Sequence, residues 1–457
     1  MQGIRCLLYF SLVLATLLPF PSFSQTSIQE ESLDIYTEHP RLFLRPQRLK
    51  LLRREKERRS MRWLQFETLV AGRAPMPEPG FAEALYYQAS GDEEAGRQAV
   101  RWALGASATD LRQLALVFDW CQPVLTEAQS KALAAKIEKG LAESEKRKTV
   151  SSIRARALAA VAVAGHSTPA AARHLEWVVR TWWAEQIIPA VKAGRNPIPR
   201  EDVYALLEIL HVVRDNVNID LRLPIPGFFK NLPLYHLLSY YPATFPAAEN
   251  EFRVPFMKEI ADPDLTRAAF SRAADLIMVA YDVNAPESQV LQGWLMHDRF
   301  LMRGTLGITY EFLWANPYQP GLSYYHVPLI FHDEELGRLF VRSSWEDSAT
   351  WIGYQDGELQ IFQDGRPSRL RPELSTAPLV LDEAVILFGS YAEKFKITLK
   401  ESEAVFVLGL KPRLAYDIEI DDQEIIERRT DPGGILSLKL PVKTETGVRM
   451  RAVGSAR

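Results

Sequence analysis

One change of hydrophobic period, near residues 316–321, constrains the fold of this chain more than any other sequence feature. Before it, apolar residues recur at spacings of three and four, which is typical of amphipathic helices. After it, short apolar runs separated by turn dipeptides such as Asp356-Gly357 predict strands joined as hairpins. The segment between them, Asn316-Pro317-Tyr318-Gln319-Pro320-Gly321, consists mostly of turn formers. The sequence therefore predicts a helical part followed by a β part.

The helical part is predicted to hold roughly ten or more antiparallel helices joined by short turns, which favours a layered array over one four-helix bundle. Thr126 is predicted as an N-cap because it precedes the acidic Glu127. In the β part, about ten strands with no helix between them predict an antiparallel β-sandwich. Predicted helices cover 46–59, 81–90, 93–104, 110–121, 126–146, 151–164, 169–191, 200–214, 232–240, 263–283 and 298–314. Predicted strands cover 325–331, 337–343, 350–354, 358–363, 379–388, 396–399, 403–408, 416–420, 424–428 and 434–440.

The charge balance excludes one class of partner. The 457 residues carry 54 basic and 57 acidic side chains, so the formal net charge is -3. No global positive field is available to hold a phosphate backbone, and nucleic acid is not an expected partner. The two cysteines, Cys6 and Cys121, are too few for a disulfide framework.

The first 24 residues have the three parts of a secretory signal peptide. Arg5 precedes an apolar run from Cys6 to Phe20, and the small residues Ser22 and Ser24 precede Gln25. The run of about 15 residues is shorter than the roughly 20 needed to span a bilayer, although an uncleaved N-terminal anchor is the alternative. We therefore expect residues 1–24 to be removed, and the protein to be secreted or periplasmic with no membrane span after cleavage. Residues 25–316 are predicted as the helical domain and 325–457 as the β domain.

Four short motifs resemble one protein family. They are His39-Pro40-Arg41-Leu42-Phe43-Leu44, the Tyr86, Tyr87, Gly91 and Asp92 pattern, Phe118-Asp119-Trp120, and Leu339-Phe340-Val341-Arg342-Ser343-Ser344-Trp345. Together with the switch from helices to strands, they are similar to the heparinase II/III-like and alginate-lyase-like proteins. The resemblance implies an incomplete α/α toroid followed by antiparallel β-sheets, and a polysaccharide lyase that cleaves uronic-acid chains by β-elimination.

That reaction needs a group that stabilises the developing charge on the uronate, a base, and an acid. In the family an Asn on the Ala-rich helix, a Tyr in the next helix region and a His in the β domain supply these roles. This chain departs from the pattern twice. Its Ala-rich helix opens with Ser151-Ser152-Ile153-Arg154-Ala155-Arg156, which offers no amide, and the His-bearing segment expected near Gly357 is missing. No metal site and no cofactor are predicted, because no ligand set replaces those imidazoles.

The predicted helix 200–214 carries the remaining candidate site. Tyr204, Glu208, His211 and Asp215 recur at steps of four, three and four, so they share one face. In an inner helix of a toroid this face would point toward a substrate cleft and the β domain. Tyr204 and His211 are the candidate catalytic residues, with Glu208 as a substrate-binding residue. A solvated face of an amphipathic helix explains the same pattern.

Further candidate substrate-binding residues flank that helix. They are Arg200, Asn216, Asn218 and Arg222. Guanidinium groups match carboxylates in geometry, so arginines here would favour an anionic sugar. Ordinary loop formation accounts equally well for the asparagines.

Two functions follow from these observations. One is a polysaccharide lyase, or a close derivative, that acts on or binds acidic, uronic-acid polysaccharides. The other is a non-catalytic glycan-binding protein, or a structural protein, with a degenerate lyase cleft. The family resemblance favours the lyase, and the missing Asn and His favour the non-catalytic protein.

Overall fold

The computed structural model describes residues 33–166, 170–247, 251–298, 301–375, 377–389, 393–399, 404–440 and 445–453. The predicted signal peptide, residues 1–24, lies outside these ranges. Within them, no helix combines the length and the apolar character that crossing a membrane requires.

Helices occupy the chain from Pro46 to Trp314. They are α1 (Pro46–Glu57), α2 (Met61–Ala71), α3 (Pro79–Ser90), α4 (Glu93–Leu104), α5 (Leu111–Trp120), α6 (Glu127–Ser144), α7 (Val150–Ala162), α8 (Ala170–Glu176), α9 (Ile188–Lys192), α10 (Val203–Val217), α11 (Pro226–Leu238), α12 (Leu265–Tyr281), α13 (Pro286–His297) and α14 (Ile308–Trp314). A π-helical stretch, Trp177–Ile187, joins α8 to α9, and a short hairpin of β1 (Phe245–Pro246) and β2 (Glu251–Phe252) precedes α12.

Short polar side chains determine where several helices begin. The predicted N-cap Thr126 is confirmed: its hydroxyl accepts a hydrogen bond from the backbone N–H of Gln129, whose side chain in turn reaches the Thr126 backbone. This reciprocal pair satisfies donors that the first helical turn leaves free. At five other helices the N-cap side chain also accepts a hydrogen bond from a backbone N–H of the first turn. These N-cap residues are Ser60, Asp92, Asp110, Thr149 and Asp264.

The helices pack in two sets. In the inner set, α3, α5, α7, α10, α12 and α14 contact one another in that order, and α14 returns to contact α2 and α3. In the outer set, α4 covers α3, α6 covers α5, α8 covers α7 and α13 covers α12. Residues 203–213 of α10 are all buried, as expected for a helix with neighbours on every side.

Two of the short motifs named above contact each other. The Asp119 carboxylate accepts hydrogen bonds from the backbone N–H groups of Arg41 and Leu42, at 2.9 and 2.7 Å. It also bonds Nδ1 of His39 at 2.6 Å, and Trp120 Nε1 donates to the Leu42 carbonyl at 2.9 Å. The segment that precedes α1 is thereby fixed to the end of α5.

Three sheets follow the last helix. The strands are β3 (Ile330–Asp333), β4 (Arg338–Arg342), β5 (Trp351–Gln355), β6 (Glu358–Gln363), β7 (Arg366–Leu370), β8 (Leu379–Val380), β9 (Ala384–Phe388), β10 (Lys394–Ile397), β11 (Ala404–Leu408), β12 (Ala415–Ile420), β13 (Glu424–Arg429), β14 (Leu436–Leu438) and β15 (Thr446–Ala452). Their order is β3-β4-β5-β6-β7 in the first sheet, β14-β11-β9-β8 in the second and β10-β15-β12-β13 in the third.

One strand pair departs from the predicted antiparallel arrangement. The sheets are antiparallel except at β9 and β11, which pair in parallel from Ala384↔Ala404 to Phe388↔Leu408. The cause is the path of the chain, since β10 lies between these strands in sequence but belongs to the third sheet. The chain leaves the second sheet after β9 and re-enters it in the same direction. The chain is therefore an α+β protein whose second sheet is mixed.

The first sheet packs on the helices. Phe331, Phe340, Trp351 and Phe362 belong to the same apolar core as the inner helices. Trp351 Nε1 also donates a hydrogen bond to the Leu238 carbonyl at 2.8 Å. The other two sheets stack behind it, with one apolar cluster between the first and second sheets and another between the second and third.

Candidate functional site

Tyr204 and Glu208 are one turn apart on α10 and bond each other. The Tyr204 hydroxyl donates to Oε1 of Glu208 at 2.7 Å, and it accepts a hydrogen bond from Trp314 Nε1 at 3.0 Å. The residues are 2% and 0% exposed, respectively. The helix predicted from the sequence is present, but this part of its polar face is enclosed by other helices.

Two arginines from neighbouring helices compensate the buried charge of Glu208. Arg112 of α5 donates from Nε at 2.9 Å and from Nη2 at 2.6 Å, and Nη1 of Arg154 on α7 lies 3.3 Å from the carboxylate. Burial alone would raise the pKa of Glu208, but the charges of Arg112 and Arg154 outweigh it and lower that pKa. Glu208 is therefore ionised in the interior.

Further groups complete a network that we call the interhelical cluster. Glu78, the N-cap of α3, accepts a hydrogen bond from Arg112 Nη1 at 3.0 Å and another from the Tyr310 hydroxyl. The members of the interhelical cluster are Glu78, Arg112, Arg154, Tyr204, Glu208, Tyr310 and Trp314. Most of them lie in the first two turns of α5, α7, α10 and α14, so the inner helices bring their N-terminal ends together at this point.

The interhelical cluster has little contact with solvent. Among its acidic and basic side chains, Arg112 and Glu208 are 1% and 0% exposed, whereas Arg154 and Glu78 reach 16% and 22%. Burial and the adjacent Glu208 carboxylate raise the pKa of Tyr204 well above its ordinary value. Its hydroxyl is thus neutral and already engaged, a poor arrangement for a proton acceptor.

His211 lies one turn beyond Glu208 and faces a different environment. Its ring contacts Tyr281 and Trp314, each with centroids 4.9 Å apart, and Nε2 is 3.4 Å from the Ile277 carbonyl. Burial lowers the pKa of His211, although Asp215 opposes this effect. Tyr204, Glu208 and His211 contact residues of α10 itself, of other helices and of the segment before α1, where Phe43 meets the His211 ring. None of these contacts is with a described strand residue. These contacts therefore do not support the prediction that this face of α10 points toward the β domain.

Arg200 directly precedes α10 and is held from three directions. Its guanidinium donates to the Ser271 hydroxyl at 2.8 Å, the Ser239 hydroxyl at 2.5 Å and the His236 carbonyl at 3.1 Å. It is 7% exposed. Its donors are directed at protein acceptors, so it acts as a structural connection between α10, α11 and α12.

The three candidates predicted to lie in a loop occupy different places, and Asn216 lies within α10 instead. Asn216 is buried and donates to the Arg41 carbonyl at 3.2 Å, which ties α10 to the segment before α1. Asn218 is exposed, with the left-handed φ of 58° that ends α10. Arg222 pairs with Asp220 at 2.9 Å and Asp282 at 2.7 Å.

A concave basic surface, which we call the basic cleft, lies between α1 and the C-terminal end of α10. Three cavities of about 610, 580 and 600 Å³ share lining residues, and Arg45 lines all three. Among the sequence candidates, His211 lines the second cavity, and Asn216 and Asn218 line the third. Seven basic side chains line the cleft against four acidic ones, so it is locally positive although the chain is not. The basic residues are Arg45, Arg48, Lys50, Arg53, Arg54, Arg58 and Arg214, and the acidic ones are Asp34, Glu38, Glu57 and Asp215.

Several of these cations lie against aromatic rings instead of carboxylates. The guanidinium carbon of Arg45 is 4.1 Å from the Tyr36 ring centroid, and that of Arg54 is 4.3 Å from the Tyr318 centroid. Within the described chain, Arg45, Lys50 and Arg54 form no ion pair. Burial lowers the pKa of Arg48 to about 10 despite the opposing charge of Asp215. The cleft thus presents uncompensated positive charge beside apolar ring faces.

Sequence reasoning did not identify this cleft. The signal was present as a run of basic residues in and beside α1, in Arg45-Pro46-Gln47-Arg48-Leu49-Lys50 and in Arg53-Arg54. A charge run is usually a solvated helix face. Only the fold shows that this face forms the wall of a concavity.

The β part has a tight turn between β5 and β6. Strands β5 and β6 pair up to Gln355↔Glu358, so Asp356 and Gly357 alone form the loop. Both have positive φ, 53° and 76°, as a two-residue hairpin turn requires. The neighbouring side chains Gln355 and Glu358 offer no imidazole.

Comparisons with known proteins give little further information. No family model matches this sequence, and no curated protein matches it. Among solved structures, one chain named "Glycoside hydrolase" is similar with a TM-score of 0.30 and 9% identity, covering 82% of this chain and 71% of that one. A similarity this low carries no argument about function.

Proposed function

We propose that this protein binds acidic, uronic-acid-containing polysaccharides in the basic cleft. The observation that carries the proposal is the set of cations without carboxylate partners, Arg45, Lys50 and Arg54, in a concavity of about 600 Å³ per cavity. A guanidinium fork matches a carboxylate in geometry, and an aromatic ring face such as that of Tyr318 offers apolar area to a sugar ring. A regularly charged glycan chain satisfies both features at once.

The proposed architecture is the incomplete α/α toroid followed by a β-sandwich of the heparinase II/III-like and alginate-lyase-like proteins. Its support is the chain-order contact of the inner helices and the stacked sheets that follow them. We propose further that the protein is exported and that residues 1–24 are removed. Mass spectrometry of the mature N-terminus tests this, and a mature chain that retains residues 1–24 would contradict it.

Binding is the proposed activity, without β-elimination. The Tyr204 hydroxyl is enclosed by Glu208, Arg112 and Trp314, and the chain lacks the family Asn and His. We therefore expect no ultraviolet absorbance from unsaturated product on a panel of uronate polymers. An absorbance rise that Tyr204→Phe abolishes would overturn this view and establish a lyase.

Calorimetric titration with uronate oligosaccharides and with neutral oligosaccharides of equal length tests the binding. We expect acidic ligands alone to bind, and binding to weaken with salt because exposed charges are screened over about 10 Å at 0.1 M. The double variant Arg45→Ala/Arg54→Ala should weaken binding by about tenfold or more, which corresponds to about 1.4 kcal/mol.

The matched control is Arg449→Ala, which removes an exposed arginine from the third sheet, far along the chain from the cleft. It should leave the affinity unchanged. Equal losses in the control and in the cleft variant, or equal binding of neutral and acidic ligands, would refute the proposal.

A further inference from the structure

Two histidines that the glycan proposal does not use are in contact at the edge of the helical part. Nε2 of His39, in the segment before α1, lies 3.1 Å from Nε2 of His166, in the turn after α7. His166 is exposed, and the His39 side chain is 14% exposed. The two rings are inclined at 61° to each other, so the nitrogens approach edge to edge without stacking.

A buried carboxylate fixes the orientation and tautomer of His39. Nδ1 of His39 is 2.6 Å from Oδ1 of Asp119, whose side chain is 0% exposed. Because Asp119 also accepts the backbone N–H groups of Arg41 and Leu42, its position is set by the fold. A carboxylate acceptor on Nδ1 places the proton there and leaves the lone pair of Nε2 directed at His166.

The separation of the two nitrogens matches a shared metal ion. Bonds of about 2.0–2.1 Å from zinc to each nitrogen, with the nitrogens 3.1 Å apart, give an N–metal–N angle of about 100°. This value lies between square-planar and tetrahedral geometry. A carboxylate on the distal ring nitrogen is also the usual outer partner of a metal-bound histidine.

We propose that His39 and His166 bind a divalent first-row transition-metal ion, such as Zn²⁺, with Asp119 as the outer carboxylate. Imidazole is a ligand that suits Zn²⁺, Ni²⁺ and Cu²⁺, and not the oxygen-preferring Mg²⁺ or Ca²⁺. Within the described ranges, no three His, Cys, Asp or Glu side chains gather as a ligand set. The ion would therefore keep positions open to water or to a ligand.

One nearby cation bears on the charge of this site. Arg41 is buried, and its Nη groups donate to the carbonyls of Thr37 and Ala164, both at 2.7 Å, and of Val161 at 3.0 Å. Its charge is balanced by the Asp119 carboxylate beneath His39. The buried pair of Arg41 and Asp119 therefore adds no net charge beneath His39.

The location of His39 indicates what can occupy the open coordination positions of the ion. His39 lines the 610 Å³ cavity of the basic cleft, whereas His166 is not among the lining residues. A carboxylate oxygen of a solute in that cavity is a suitable additional ligand. The metal site does not depend on glycan binding, since its protein ligands are fixed by Asp119 and the turn after α7.

Metal titration of untagged, chelator-treated full-length protein tests the proposal. We expect Zn²⁺ to bind with one-to-one stoichiometry by calorimetry, and Cu²⁺ to give an electron paramagnetic resonance spectrum with two nitrogen ligands. His166→Ala removes an exposed side chain, so it should leave the fold intact and weaken Zn²⁺ binding by at least tenfold. Asp119→Asn should weaken it by about 10–100-fold, the range found for outer-shell partners.

The control is His326→Ala, which removes an exposed histidine elsewhere in the chain and should not change the affinity. Circular dichroism of each variant confirms folding. The proposal is overturned if His166→Ala binds Zn²⁺ as the wild type does, if the Cu²⁺ spectrum shows no nitrogen ligand, or if the His326→Ala control loses as much affinity as His166→Ala.

Discussion

Glu208 carries a buried negative charge, and this charge is stable only because Arg112 and Arg154 approach it from two other helices. Desolvating an ion costs several kcal/mol, which good geometry and additional hydrogen bonds offset. Removing one partner leaves the other charge buried and uncompensated. The packing of α5, α7 and α10 at the interhelical cluster therefore depends on one carboxylate.

We expect Glu208→Gln to lower the free energy of unfolding by about 3–5 kcal/mol at neutral pH, because Arg112 loses its charge partner in the interior. The folded-state pKa of Glu208 lies below its unfolded value, about 4.3. The stability from its ionised form is thus fully present above about pH 4.3 and is lost as the pH falls through the folded pKa.

Urea unfolding of the wild type and Glu208→Gln at neutral and acidic pH measures this effect. The difference in free energy of unfolding between the wild type and the variant should become smaller as the pH falls below about 4. Glu127→Gln, which removes one partner of an exposed pair with Lys131, should cost less than about 0.5 kcal/mol. A pH-independent difference would show that Glu208 is not ionised in the folded protein.

The position of Glu208 illustrates how much of the site the sequence can predict. The steps of four, three and four predict correctly that Tyr204, Glu208 and His211 lie on one helix, and Tyr204 does bond Glu208. Periodicity carries no information about partners distant in sequence. Arg112 is 96 residues from Glu208, so the enclosure of this face was not predictable.

At the scale of elements, the turn between β5 and β6 determines the register of the first sheet. Gly357 has φ of 76°, and a Cβ placed there would contact nothing within 4 Å. We expect Gly357→Ala to destabilise the protein by about 1 kcal/mol through backbone conformation alone, because L side chains disfavour positive φ.

Gly357→Asn is the matched control, since asparagine tolerates the left-handed region and should cost less than alanine. Thermal unfolding of both variants measures the difference. An equal loss for both variants would exclude the left-handed backbone conformation of residue 357 as the cause.

Most elements follow from local sequence, although the helices α2 and α13 were not predicted, and two other exceptions have physical causes. The predicted helix 298–314 is wrong over residues 301–307, because α14 begins only at Ile308. Gly307 approaches Met302 so closely that a Cβ would lie 2.6 Å from the Met302 side chain, which indicates a tight turn there. Strand β7 was missed because it is a polar edge strand that contains Pro367, without the alternation that marks a half-buried strand.

At the scale of the whole molecule, the helices and the first sheet share one apolar core. Trp351 of β5 is 0% exposed and bonds the Leu238 carbonyl at the end of α11. We expect Trp351→Ala to cost about 3–5 kcal/mol, the usual range for a buried tryptophan, and to lower the melting temperature of the helical circular dichroism signal. Both parts should unfold in one transition.

Scanning calorimetry together with circular dichroism checks this expectation. Ile425→Ala, on the outer strand β13, serves as control because the side chain is 71% exposed. Ile425→Ala should leave the melting temperature unchanged. Helices that melt at an unchanged temperature in Trp351→Ala would mean that the two parts are stable independently.

The second sheet lies between two apolar clusters, and this has a consequence for the order of assembly. Ala384–Phe388 is a strand of five buried apolar residues, with alternate side chains in each cluster. Its partner β11, and the strand β14 that pairs with β11, come later in the chain, up to Leu438. Until that residue has been synthesised, a bare apolar strand is exposed to pairing with other chains. We therefore expect the nascent protein to need shielding of this segment until its last sheets close.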